Sequence, residues 1–234
     1  MVKYEDTIGI VGGMGSFATL NFFERLLYAF PAEKEWDRPR IIIDNRCTMP
    51  SRVRAVLYEE NVKLLIKELS NSIQGLIFQG ATKIVLICNT AHIFLEDVFE
   101  LIPEAKKFTI NIIENLADEM KHSGISKASL IATEGTILSN IYKTVFSKYN
   151  ISLNSPGIDE FNTIRYFIEQ VKTMHLTTNV INQFSAFIES LPCDNVVLGC
   201  TEFPILNKKM ICSPQKNIWD PLEAVINKLK YEIK

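Results

Sequence analysis

Two stretches of this chain carry an apolar, β-branched run onto a cysteine and then turn. Ile84 to His92 reads IVLICNTAH, and Val196 to Pro204 reads VVLGCTEFP. A short continuous apolar run bounded by small polar residues is the pattern of a strand buried on both faces, which belongs in an α/β sheet covered by helices. The carboxyl ends of such strands open onto the crevice where α/β sheets place their ligands, and Cys88 and Cys200 stand there. Asn89-Thr90 and Thr201-Glu202 begin the next helices. Their backbone N–H groups and the helix dipole form a site for a carboxylate and favour a thiolate over a thiol.

The rest of the chain repeats this scheme. Thr7 to Val11 reads as a buried strand, Gly12-Gly13-Met14-Gly15-Ser16 as a tight turn, and Phe17 to Tyr28 as a helix. The glycine turn lets the backbone at Met14 approach a small anion, but it is not GxGxxG and does not specify a dinucleotide. Arg40 to Asp44 reads as a second strand. It opens into a loop holding Pro50 and Arg52. Arg52 has the fork to clamp a carboxylate, although an arginine in such a loop taken alone would be a surface residue. One long helix is expected from about Val56 to Gly75, and a shorter one after His92 that Pro103 stops. Phe108 to Ile112 leads into a helix that ends at Gly124.

A second round then begins. Ala128 to Ala132 is a strand, Thr133-Glu134-Gly135-Thr136 a small-residue loop, and about Ile137 to Lys148 a helix. Ile151 to Leu153 is a strand, and two further helices lead to the strand that delivers Cys200. The internal repeat implies two similar, pseudo-two-fold related α/β domains with mostly parallel sheets. The expected division is 1–99 plus 212–234 for the first domain and 100–211 for the second. The tail strand at Asn217 is expected to return to the first.

Composition narrows the function. The net charge is −2 over 234 residues with no basic run, which argues against nucleic acid or an anionic membrane as partner. No apolar run approaches the roughly 18 residues that cross a bilayer. The five cysteines, Cys47, Cys88, Cys193, Cys200 and Cys212, are odd in number, which fits free thiols in a reducing cytoplasm. His92, His122 and His175 are scattered and no metal-ligand spacing occurs, so no metal is expected.

Two thiols, each at the mouth of its own half, supply a base for one face of a carbon and an acid for the other. Inverting an α-carbon requires that pair. A lone cysteine in an apolar run is more often a small core hydrophobe, and that remains the reading for Cys47, Cys193 and Cys212. The repeated setting singles out Cys88 and Cys200. His92 caps or packs at a helix start, or moves a proton. Glu202 orients Cys200 or caps its helix.

These motifs, IGIVGGMG, CNTAH, TEGT, GCTE and the Asp220-Pro221 turn, give the chain a resemblance to the cofactor-independent aspartate/glutamate racemases of the wider Asp/Glu/hydantoin racemase superfamily. The resemblance spans nearly the whole chain. It departs from the usual pattern at Ser16, where proline is common, and at Ser51, where an aspartate is usual. It implies two α/β domains with the active site in the cleft between them, catalytic Cys88 and Cys200, and no cofactor. It further implies that Asn89, Thr90, Thr133, Thr136 and Thr201 hold the α-carboxylate and amino group, with Met14 and Glu202 also at the substrate. Arg52 and Lys172 would face a distal carboxylate. The expected partners are a small acidic amino acid and a second copy of the chain in a homodimer. Hydantoin racemisation, maleate isomerisation and amino-acid binding without chemistry are the alternatives.

Overall fold

The computed structural model describes residues 4–210 and 215–233. Cys212 and the expected domain boundary at 211/212 lie outside the described residues.

Two parallel four-stranded sheets form the frame. Thr7–Gly12 (β1), Arg40–Asn45 (β2), Lys83–Leu86 (β3) and Thr109–Ile110 (β4) make the first, in the order β2-β1-β3-β4. Lys127–Ala132 (β5), Ser152–Asn154 (β6), Asn195–Gly199 (β7) and Asn217–Trp219 (β8) make the second, in the order β6-β5-β7-β8. Each half therefore places its second, first, third and fourth strands side by side, so the repeat read from the sequence is a repeat of topology.

Helices cover both faces of each sheet. In the first part of the chain they are Ser16–Ala29 (α1), Arg52–Tyr58 (α2), Val62–Phe78 (α3), Leu95–Leu101 (α4), Ala105–Phe108 (α5) and Ile112–His122 (α6). Glu134–Leu138 (α7), Ile141–Lys148 (α8), Ile158–Lys172 (α9), Thr178–Ser190 (α10), Phe203–Lys209 (α11) and Pro221–Glu232 (α12) follow.

The alternation of side chains along a strand explains the unbroken apolar runs. In β3, Ile84 and Leu86 face α3 through Leu65, Leu69 and Ile73. Val85 and Ile87 face the opposite way, into a core shared by both halves. In the second sheet, Leu130, Ala132 and Val197 enter that shared core, while Ile131, Val196 and Leu198 pack against α9 and α10. Phe22 and Leu26 of α1, Leu116 and Met120 of α6, and Val225 and Leu229 of α12 fill the layer between the sheets. Each such side chain contributes about 1.5–3 kcal/mol by leaving water.

The structure corrects four expectations. The helix from Val56 to Gly75 is two, α2 and α3, because Glu59 and Asn61 both take left-handed backbone conformations at φ 55°. The helix from Ile137 to Lys148 is likewise split into α7 and α8 by left-handed Asn140 at φ 58°. Thr109–Ile110, numbered with the second domain, pairs with β3 and closes the first sheet. Asn217–Trp219, expected in the first domain, pairs with β7, where the Trp219 indole also donates to Asn195 Oδ1 at 3.0 Å. Helix α12 then packs against α6 and α1, and Glu223 in its first turn pairs with Arg25.

Candidate active site

β3 and β7 run on for one or two residues past their last ladder bonds and deliver Cys88 and Cys200 to one small cavity of about 70 Å³. Cys88 and Cys200 are 9% and 7% exposed as whole residues. Of the residues expected at the substrate, Met14, Arg52, Asn89, Thr90, Thr133, Lys172, Thr201 and Glu202 line the same cavity.

Thr136 does not. It is fully buried behind the wall, with its hydroxyl 2.7 Å from that of Thr90 and 2.9 Å from that of Thr133. Thr90 and Thr133 are themselves 3.1 Å apart. Three hydroxyls thus join the end of β3 in one half to the start of α7 in the other. Thr136 acts on the cavity through its two neighbours, because its side chain satisfies them and not open space.

The glycine turn brings the chain close to the arginine loop. Gly13 has φ +80°, and a Cβ there would collide with the Arg46 backbone. The Met14 carbonyl consequently reaches Arg52, accepting from Nη2 at 2.7 Å. Arg52 opens α2, which Ser51 caps by accepting from the Arg54 N–H. The other terminal nitrogen, Nη1, donates to Pro50 O at 3.0 Å and Met49 O at 3.4 Å. The expected free carboxylate clamp is therefore folded back onto carbonyls, and only Nε is buried without a partner. Lys172, the last residue of α9, is 41% exposed and pairs with Glu169 at 3.2 Å.

The two cysteines stand in different surroundings. Cys200 Sγ donates to Glu202 Oε2 at 2.9 Å, and Thr201 Oγ1 donates to the same oxygen at 3.2 Å. The other Glu202 oxygen occupies the space beside Gly15, the N-cap of α1, where a Cβ would collide with it. Burial first, and then the charge of Glu202, push the Cys200 thiol well above its ordinary range. This reverses the expected lowering by a helix N-terminus. The backbone of Glu202, the N-cap of α11, does act to lower the pKa, but burial and the Glu202 carboxylate outweigh that effect.

His92 has no open nitrogen. Its Nδ1 donates to the Cys88 carbonyl at 2.9 Å, and its Nε2 accepts from the Ile112 N–H at 3.3 Å. Burial lowers its pKa from 6.5 to about 4, so the ring is neutral at pH 7. It is a strut between the strand end and α6, and the proton-transfer reading does not stand.

Sequence reasoning missed Tyr142, whose hydroxyl donates to Asn89 Oδ1 at 2.6 Å. Its helical spacing marks only a core residue. Ser51, Val53, Ile168 and Gly199 complete the cavity wall, and of these Val53 and Ile168 carry no chemical signal in the sequence.

Residues 11–229 match the family model for Asp/Glu/Hydantoin racemase. A broad specificity amino-acid racemase from Bacillus subtilis is 29% identical over 142 residues, covering 59% of each chain. A glutamate racemase from Chlorobaculum parvum is 26% identical over 75% of this chain and 65% of its own. The chain thus spans about half to two thirds of the curated relatives it matches. Among solved structures, the aspartate racemase of Picrophilus torridus superposes with a TM-score of 0.79 at 28% identity, covering 96% of this chain and 92% of that one. The Francisella tularensis glutamate racemase, solved with D-glutamate, shares the fold at a TM-score of 0.63 and 20% identity, over 96% of this chain and 79% of its own. With its paired sheets and its cysteines at matching strand ends, the chain belongs to the Asp/Glu/hydantoin racemase family.

Proposed function

We propose that the protein is a cofactor-independent racemase of aspartate and/or glutamate that moves the α-proton between two cysteines. The observation that carries this reading is the convergence of Cys88 and Cys200, from equivalent strands of the two halves, on one cavity that Arg52 and Lys172 also line.

The α-carboxylate fits the hydroxyls of Thr90, Thr133 and Thr201 and the unpartnered Nδ2 of Asn89. Such donors also stabilise the negative charge that builds as the α-carbon loses its proton. The distal carboxylate fits Lys172 and Arg52, whose guanidinium exchanges carbonyl partners for the substrate. One thiolate removes the α-proton, and the thiol on the other face returns one. The pair ends with thiol and thiolate exchanged and no net proton consumed. The raised pKa of Cys200 suits it to begin a turnover as the acid. Cys88 then begins as the base.

Both thiols must stay reduced for this cycle, and Cys47, Cys88, Cys193 and Cys200 are all free. That favours a reducing compartment such as the cytoplasm. No helix among the described residues is long and apolar enough to cross a membrane.

The test is solvent deuterium wash-in at the α-carbon across the free amino acids. Acidic amino acids should exchange and racemise without added cofactor. Cys88→Ser and Cys200→Ser should each abolish racemisation, since a serine hydroxyl is far less acidic than a thiol. Each variant should exchange the α-proton of one enantiomer only, and the two should prefer opposite enantiomers. Racemisation near the normal rate in either variant would refute the two-base reading.

A further inference from the structure

Asn89 is the one cavity-lining amide, and its orientation decides what the site offers. An amide presents two N–H donors at one end and a carbonyl acceptor at the other. With Nδ2 turned to the cavity, Asn89 attracts a carboxylate. With Oδ1 turned there, it repels one. The residue is 3% exposed, and its Nδ2 has no partner among the protein atoms. Its Oδ1 accepts from the Tyr142 hydroxyl at 2.6 Å.

Tyr142 is well placed to hold that end still. It is 1% exposed, and its ring packs in the core shared by both halves, with the Phe146 ring centroid 5.5 Å away. Its hydroxyl is the only polar atom its side chain carries. It lies on α8, which starts directly after left-handed Asn140, so the backbone fixes the direction from which the ring arrives. Asn89 follows β3 in the other half. The contact therefore crosses between the halves beside the Thr90–Thr133–Thr136 cluster, which crosses there too.

We propose that Tyr142 is a positioning residue: from the opposite half of the molecule, its buried hydroxyl locks the Asn89 amide with Nδ2 facing the catalytic cavity. What Nδ2 then binds rests on the racemase reading, as the α-carboxylate of an acidic amino acid; the lock itself does not depend on that reading. Burial raises the tyrosine pKa well above its ordinary value, which keeps the hydroxyl a donor over the working pH range. If the amide turned over, the hydroxyl could accept from Nδ2 but its own proton would lose the partner it has, so the amide oxygen is favoured opposite it.

The test is Tyr142→Phe, which keeps the ring and removes only the hydroxyl. In the unliganded protein, the side-chain amide resonances of Asn89 should shift or broaden in the variant as the amide begins to flip. The kcat/KM for aspartate or glutamate should fall by about tenfold, the scale of one lost hydrogen bond, through a higher KM and, because the same donor faces the charge that builds, a lower kcat. Asn89→Ala should raise KM similarly, and the double variant should be no worse than Asn89→Ala alone, because both changes remove the same contact. Unchanged Asn89 resonances in Tyr142→Phe would overturn the proposal, as would additive losses in the double variant. A wild-type protein that racemises no acidic amino acid would overturn the proposed function instead, and the resonances would still decide the role of Tyr142.

Discussion

His92 ties stability to pH. Unfolded, its imidazole takes up a proton below its ordinary pKa of 6.5; folded, it does so only below about 4. Between these values the unfolded chain binds a proton that the folded chain refuses. Stability is therefore lost as pH falls through that window, at up to about 1.4 kcal/mol per pH unit. Above it the term is absent, and below it the loss levels off. Urea unfolding at pH 7 and pH 4.5 should show a smaller acid-induced loss in His92→Asn than in the wild type. An equal loss in the two would show that other groups govern the acid response. At this scale the sequence was informative about the cysteines and silent about their partners. Cys88 and Cys200 are legible because each ends an apolar strand. The bonds of Arg52 to the Met14 carbonyl, of Tyr142 to Asn89 and of the Ile112 N–H to His92 join residues far apart in the chain, and no local pattern encodes them.

Beyond their shared core packing, helix α1 is tied to α12 through Arg25. Arg25 Nη2 lies 2.7 Å from Asp220, whose side chain caps α12, and 2.6 Å from Glu223 in its first turn. Burial opposes the charge on Arg25, but the two carboxylates more than offset it. Arg25→Ala would leave Asp220 buried with its charge uncompensated, so a loss of about 3 kcal/mol is expected. Thermal unfolding should register this as a drop of several degrees in Tm. A change within about 0.5 kcal/mol would mean that the pair behaves as an exposed one. The elements that were legible are those with long periodic or continuous apolar patterns: β1, β3, β5, β7 and the helices α9 and α10. Those that were not are set by single residues or by a choice of neighbour. The left-handed conformations of Glu59, Asn61 and Asn140 break helices whose apolar spacing continues across the break. The three residues of β8 are too few to specify which sheet edge they join, and the open edge of β7 takes them.

At the scale of the whole molecule, one face is left apolar. Phe17, Leu20 and Leu27 of α1 line a groove of about 390 Å³ together with Met174 and Ile205. Leu20 is 60% exposed there. The two halves meet at the cysteine-lined cavity as topological equals and chemical unequals, since Glu202 accepts from Cys200 and no carboxylate of the cavity wall accepts from Cys88. For a racemase this inequality has a strict bound. Free mirror-image substrates have the same free energy, so kcat/KM must be identical in the two directions. The one-sided carboxylate therefore cannot make the enzyme a better catalyst toward one hand than the other. It can only divide the same second-order rate differently: the hand that binds more tightly must turn over more slowly by the same factor.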